Sequence, residues 1–593
     1  MTTYTPRYTS IVTLLSKTVA RFPNRPVFGT RKNHGWHYVS YAQFDELVAA
    51  MRGGLKQLGV GIGDRVAVIS DNRVEWAVGS FGTLSLGAAY VPMYQAQKDG
   101  EFKYILRDSG AQVCLCANAQ IAERIRKLLP ELPELKHIIA FDSPEYEKLL
   151  DSGRKTPSAA PEVDPNRLAF LIYTSGTTGD PKGVELTHLN LGATASGIIE
   201  VAPLTENNEL TVAFLPWAHV FGGCVEISVI MGFGGAMAIC EKADRLLDYL
   251  AEVKPTALFA VPRIWNRVYE NVNKQIDARP APLQKLLRTG LAARAKQNKG
   301  QALSALEKAA MLVTTKLLVG KIKARLGGRV RFAVSGAAAL APEVAEFIDT
   351  LGIVVLEGYG LTETTAGGTA SKPHERKIGS VGKPMPGARI TIDTHISGTE
   401  AAEGEGEIIV YGPNIMRGYH NLPDQTRSAF TADGGLRTGD LGRIDKDGYL
   451  FITGRVKELY KLNNGKYIAP AALEEKLQLS PYIAQCFVYG SDRPHNTAVI
   501  VAEMSNVEEY CKRHGISTSE PPERLLQLPQ IRELFRHEID RYSREFKGFE
   551  QIRSFVLTPE PFTTDNDLMT QTLKIKRRNI VNKYQRDLVA LYA

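Results

Sequence analysis

Cysteine is scarce in this chain, six among 593 residues, and none of the six has the paired spacing of a zinc site. That usage points to a reducing compartment rather than to a disulfide or zinc framework. Cys114 and Cys116 flank Leu115 on an apparent strand, where both face one side and read as buried thiols. Long apolar runs are also lacking. The most apolar stretch, residues 211–240, is broken by Pro216, His219 and Glu226, and neither half reaches the roughly 20 apolar residues that cross a bilayer. The opening residues MTTYTPRYTSIVTLLSKTVARF show no basic region followed by an apolar run and a small-residue cleavage site, so export is not expected and a cytoplasmic location is. No internal repeat or low-complexity tract stands out, and no Ser/His/Asp or Cys/His set suggests an enzyme nucleophile.

What is present is an ordinary globular composition, 44% hydrophobic and 23% charged, in a chain longer than one hydrophobic core usually organises. Two domains are expected, residues 1–456 and 457–593. The net charge of +8 permits anionic partners without choosing among them. Its distribution is uneven: between Lys285 and Arg329 eleven Lys or Arg residues face the single acid Glu307, on a helical background. That segment is a candidate for peripheral contact with acidic lipid, or else a solvated helical face. It lacks the interleaved aromatics of a nucleic-acid binder, and no nucleic-acid partner is expected.

Short apolar runs such as RVAVIS (65–70), AQVCLCA (111–117) and LAFLIY (168–173) alternate with helical patterns such as VEWAVGSFGTLSLGA. The rhythm implies βαβ units and an α/β fold of doubly wound sheets in a large amino-terminal domain. TVAFLP, TALFAVP, RVRFAVSG and IVVLEGYG continue it, each ending in a Gly or Pro turn where an open sheet presents its ligand site. After about residue 385 the texture becomes short strands bounded by Gly and Asp, which suits a small β-subdomain. Beyond Arg455, strands and helices mix in a smaller α+β carboxy-terminal domain. DKDGYL (445–450) lacks the ligand spacing of a calcium loop and reads as a hairpin turn.

The strongest local signal is YTSGTTGDPKGVELTH, residues 173–188. Ser175, Gly176, Thr177, Thr178 and Gly179 offer backbone amides and hydroxyls to an anion, glycine allows close approach, and Lys182 adds positive charge. The Walker A spacing is absent. This loop resembles the signature of the adenylate-forming superfamily, which contains acyl-CoA synthetases, luciferases and peptide-synthetase adenylation domains. The likeness continues in order through SGAAAL (335–340), EGYGLTETT (357–365), RTGDLG (437–442), GRVKELYKLNNGKYIAP (454–470) and TLKIKRR (572–578). Within the superfamily, KLNNGKYIAPAALE and the helical insert before RVRFAVSG look most like the long-chain fatty acyl-CoA synthetases. Thr453 stands where typical long-chain members carry an acid, which leaves the chain length open.

The resemblance implies ATP, Mg²⁺ and coenzyme A, and a fatty acid joined to coenzyme A through an acyl-adenylate. It implies a mobile carboxy-terminal domain turning about Lys457. It makes Thr174 and Glu363 the Mg²⁺ ligands, sets Gly336, Ala337, Glu357, Gly358 and Tyr359 beside the adenine, and brings Thr362 to the α-phosphate. Asp440 and Arg455 would hold the ribose, Gly465 would face the pantetheine tunnel, and Lys574 would reach the reacting carboxylate. His219 would lie near the acyl carboxyl, or else be a satisfied core histidine. Rival readings are an acyl-AMP ligase serving a carrier protein and a non-catalytic acyl or nucleotide sensor. A homodimer is left open.

Overall fold

The computed structural model describes residues 4–33, 35–174, 180–242, 245–395, 404–570 and 574–593. Its largest sheet has seven strands in the order Gly418–Tyr419, Lys182–Thr187, Leu168–Thr174, Ala89–Met93, Arg65–Ile69, Val113–Cys116, His137–Ala140. From Leu168–Thr174 to His137–Ala140 the strands run parallel. Because side chains alternate along a strand, Val66, Val68 and Leu115 enter one core while Ala67, Ile69, Cys114 and Cys116 enter another on the opposite face. This is the doubly wound arrangement the rhythm of the sequence implies. Cys114 and Cys116 do share a face, their sulfurs 3.8 Å apart. All six cysteines are buried, and none is bridged.

The helices Tyr41–Gln57 and Pro144–Lys155 cross closely over this sheet. Gly53 and Gly54 of the first meet Gly153 of the second with backbone against backbone, so that a Cβ on Gly153 would land on the Ala50 carbonyl. Two further sheets complete the amino-terminal body: Gly35–Ser40, Pro26–Lys32, Ala236–Ile239, Leu210–Ala213, and Ala257–Ala260, Phe332–Ser335, Val354–Tyr359, Thr369–Ala370, Lys383–Pro384. Between Ala257–Ala260 and Phe332–Ser335 lies the basic insert, built of helices Ala281–Asn298 and Ala305–Thr314, a π-helical turn Thr315–Val319, and helix Gly320–Arg325.

Residues Arg389–Asp393, Glu405–Tyr411, Leu436–Ile444 and Leu450–Arg455 form an antiparallel four-stranded sheet, the expected β-subdomain. Its last hairpin turns at Asp445–Tyr449, where Gly448 takes φ 84°, so DKDGYL is a turn. Beyond it, Ile483–Tyr489, Asn496–Ala502 and Ile552–Thr558 form a three-stranded sheet. Helix Pro529–Ser543 packs on one face and Arg577–Ala590 on the other. Among the described residues no helix is long and apolar enough to cross a membrane.

Candidate functional site

The strand Leu168–Thr174 turns back as Lys182–Thr187, an antiparallel pairing the loop reading of the sequence did not anticipate. The register sets Thr174 opposite Lys182, and Tyr419 of the edge strand opposite Val184. Lys182 Nζ thereby stands 4.9 Å from the centre of the Tyr419 ring. The Tyr419 hydroxyl donates to Glu363 Oε1 at 2.9 Å. Burial pushes the Lys182 pKa down, the nearby Lys457 adds to that, and Glu363 opposes it.

Glu363 rides on the single 3₁₀ turn Thr362–Thr364, closed by Thr365 and Ala366, both in the left-handed region at φ 55° and 56°. The Met416 amide fixes the turn from outside by donating to the Glu363 carbonyl at 2.8 Å. Thr362 is buried beneath it. Just upstream, Val354–Tyr359 delivers Glu357, Gly358 and Tyr359. Phe332–Ser335 delivers Gly336 and Ala337, the latter left-handed at φ 71°, a conformation costing about 1–2 kcal/mol for a residue with a Cβ. A Cβ on Gly336 would stand 3.5 Å from the Phe221 ring, so Phe221 borders this turn. Burial raises the Glu357 pKa to about 7, against backbone groups of Leu340 and Gly379 that pull it down.

Asp440 and Arg455 face each other in register across the last hairpin of the β-subdomain. Arg455 Nε donates to Asp440 Oδ1 at 2.6 Å, and the Tyr359 hydroxyl donates to Oδ2 at 2.7 Å. Burial works against the Arg455 charge, but Asp440 more than offsets it and the pKa rises. The pair thus links the β-subdomain to the strand end at Tyr359.

Lys574 reaches this cluster from the far end of the chain. It is held on a small hairpin: Thr570 N–H donates to the Lys574 carbonyl at 2.8 Å, and Lys574 N–H donates to Thr570 Oγ1 at 3.1 Å. Its side chain keeps contact with water, yet charged groups of the amino-terminal body stand close to it. Burial there lowers its pKa, Arg455 lowers it further, and Asp440, Glu363 and Glu458 oppose. His219 lies within the same field. Burial pushes its pKa down to about 4 and Lys574 contributes, so the imidazole is neutral at pH 7, with Nδ1 accepting the Phe221 N–H at 3.3 Å.

The structure links these residues in a chain: Thr174 pairs with Lys182, Lys182 lies near Lys457 and Glu363, Tyr359 and Arg455 bond Asp440, and Lys574 lies near Arg455, Asp440, Glu363 and His219, while Gly336, Ala337, Glu357, Gly358 and Thr362 sit on the strand ends and the turn beside them. Ser175, Gly176, Thr177, Thr178 and Gly179 lie outside the described residues. Gly465 stands apart, at the tip of the Tyr460–Lys461 and Tyr467–Ile468 hairpin, with φ 86° and its N–H bonded to the Leu462 carbonyl. Trp217 packs against Trp76 and Phe28 as a core residue. Sequence reasoning missed Tyr419, which holds both Lys182 and Glu363, because a tyrosine in GYHNLP carries no local signal. It also missed Glu226. On the π-helical turn Phe221–Glu226, this carboxyl is 0% exposed and neither oxygen has a partner among the described residues. Burial raises its pKa well above the ordinary range.

A family profile described as AMP-binding enzyme matches residues 15–420, and one described as AMP-binding enzyme C-terminal domain matches 458–593. The chain is 33% identical to the long-chain-fatty-acid–CoA ligase FadD15 of Mycobacterium bovis over 576 residues, covering 94% of this chain and 92% of that one. It is 30% identical to human long-chain-fatty-acid–CoA ligase 1, covering 96% of this chain and 84% of the relative. The crystal structure of the adenylation domain of a carboxylate reductase from Mycobacterium chelonae superposes with TM-score 0.78 at 23% identity, covering 98% of this chain and 91% of that one.

Proposed function

The chain belongs to the AMP-binding enzyme family, and from that premise we propose that it activates a long-chain fatty acid with ATP and passes the acyl group to coenzyme A. A carboxylate is a poor electrophile until one oxygen becomes a leaving group. In the first step a carboxylate oxygen attacks the α-phosphorus of ATP, forming acyl-AMP and expelling pyrophosphate. In the second the coenzyme A thiol attacks the acyl carbon and expels AMP. No nucleophile from the protein is needed, so its task is to position the reactants and to stabilise redistributing negative charge.

The observation that carries this reading is the arrival of Lys574, from the carboxy-terminal segment, beside His219, Glu363, Asp440 and Arg455. Its ammonium bridges the substrate carboxylate and the α-phosphate oxygens. Asp440 accepts from the vicinal ribose hydroxyls, with Arg455 and Tyr359 holding its carboxylate in place. Gly336, Ala337, Gly358 and Tyr359 flank the adenine, Thr362 meets the α-phosphate, and residues 175–179 with Lys182 wrap the leaving phosphates. Neutral His219 lies at the acyl carboxyl without adding charge. Thr174 and Glu363 would hold Mg²⁺. Glu363 has a second carboxylate oxygen beyond its bond to Tyr419, a hard oxygen donor of the kind suited to a cation shared with phosphate oxygens. When bound, that ion neutralises charge on the departing pyrophosphate. Lys457 is the pivot between the two steps, after which the hairpin bearing Gly465 faces the pantetheine arm. The basic residues 285–329 add peripheral contact with a membrane surface to this reading.

The test is a mass-spectrometric product assay with ATP, Mg²⁺ and a panel of carboxylic acids, with and without coenzyme A. Wild type should yield acyl-CoA and AMP from long-chain acids, and Lys574→Ala should slow acyl-AMP formation by about 10²-fold. Acyl-AMP that accumulates in the presence of coenzyme A would overturn the second step, and no turnover of any acid would overturn the whole reading.

A further inference from the structure

The basic insert presents an outward face that packing within the chain does not use. Nine large apolar side chains are exposed among the described residues, and four of them fall within residues 306–317: Leu306 at 74%, Leu312 at 69%, Val313 at 38% and Leu317 at 45%. The first two are the most exposed of all, so the clustering is not ordinary surface scatter. Leu306, Val313 and Leu317, at i, i+7 and i+11, form one stripe. Leu312 stands one turn from both Lys308 and Lys316.

The adjoining face is anchored. Ala310, Thr314 and Leu318 are buried, with Ala310 and Thr314 pressed against Gly290 of the neighbouring helix Ala281–Asn298. The stripe is therefore held outward on a fixed support. Charge surrounds it unevenly. On the neighbouring helix Lys296 and Lys299 are paired with Glu307 and Glu346. Lys308, Lys316, Lys321 and Arg325, on the stripe's own helices, make no ion pair among the described residues. An apolar stripe edged by unneutralised cations is the pattern of a helix lying in the headgroup layer of a membrane. A second copy of the chain would instead bring two basic faces together.

We infer that this face docks the protein on an anionic lipid bilayer, with Leu306, Leu312, Val313 and Leu317 entering the acyl boundary and Lys308, Lys316 and Lys321 meeting the headgroup charge. The inference rests on the peripheral-contact part of the reading above and on none of its chemistry, so binding is measured without turnover.

The experiment is flotation of the full chain with phosphatidylcholine vesicles, with and without phosphatidylglycerol, at low and high salt. It compares wild type with two triple variants, Leu306→Ser/Leu312→Ser/Leu317→Ser and Lys308→Glu/Lys316→Glu/Lys321→Glu. All six positions are exposed, so both variants should melt with wild type. Wild type should float only with phosphatidylglycerol and release in salt, and each variant should lose at least about tenfold in partitioning. Wild type that does not float, or a leucine variant that floats as well as wild type, would overturn the inference. Self-association in sedimentation, abolished by the leucine substitutions without vesicles, would assign the face to a second copy instead.

Discussion

At the scale of single residues, the site is organised by how groups shift one another's charge. His219 carries a pKa near 4 because it is buried and because Lys574 stands close. Lys574→Ala should move the His219 titration, followed by NMR of the imidazole, upward from about 4 while burial still holds it below the ordinary 6.5. An unmoved titration would mean that Lys574 does not visit this cleft in solution, a readout independent of turnover. Glu226 gives the opposite case. Its folded-state pKa is raised, so it stays protonated in the fold while the unfolded chain ionises it near 4.5. The unfolded state then binds fewer protons, and this residue subtracts stability increasingly as pH rises above that value. Glu226→Gln, probed by urea melts from pH 4 to pH 8, should lose that fall; an unchanged slope would place a partner at Glu226. Neither behaviour could be read from the sequence, where His219 in LPWAHVFGG and Glu226 in CVEISV differ little from ordinary core neighbours.

At the scale of elements, strands were legible wherever β-branched runs ended in Gly or Pro, as in RVRFAVSG and TALFAVP, because those residues suit a pleated buried surface. The strand Lys182–Thr187 was not, since glycine and hydroxyl residues ahead of it read as loop and its pairing with the distant Gly418–Tyr419 is a tertiary choice. The same limit hid Tyr419. Tyr419→Phe removes the hydroxyl from Glu363 but keeps the ring beside Lys182, and should cost adenylation about tenfold through a loosened carboxylate. Equal rates for variant and wild type would free Tyr419 of that role. The crossing of Tyr41–Gln57 and Pro144–Lys155 rests on Gly53, Gly54 and Gly153. Gly153→Ala forces the helices apart and should destabilise the fold by about 3 kcal/mol in denaturant melts.

At the scale of the whole molecule, residues beyond 457 are tied to the amino-terminal body by few ionic contacts: Lys476 with Glu343, and Lys274 with Glu509 at 2.7 Å. The rotation about Lys457 proposed above would have to break them. Such partly exposed pairs are worth about 1 kcal/mol or less. Glu343→Gln should therefore shift single-turnover rates toward the thioester step by no more than about fivefold, and a larger loss of both steps would mean that the pair maintains the fold. The order of the motifs was legible, because each carries its own local residue pattern. That Lys574 comes to the site of Asp440 and His219 was implied by the family resemblance alone and not by composition or spacing, because docking is settled by surfaces far apart in the chain. The disposition of the cysteines bears on the same chemistry. An enzyme that makes an activated acyl group produces a reagent able to modify any accessible thiolate, its own included. With all six thiols buried, and burial raising the pKa of Cys224 only five residues from His219, the protein offers no sulfur to compete with the intended acceptor. It is chemically deaf to its own intermediate, and coenzyme A brings the one thiol that can answer.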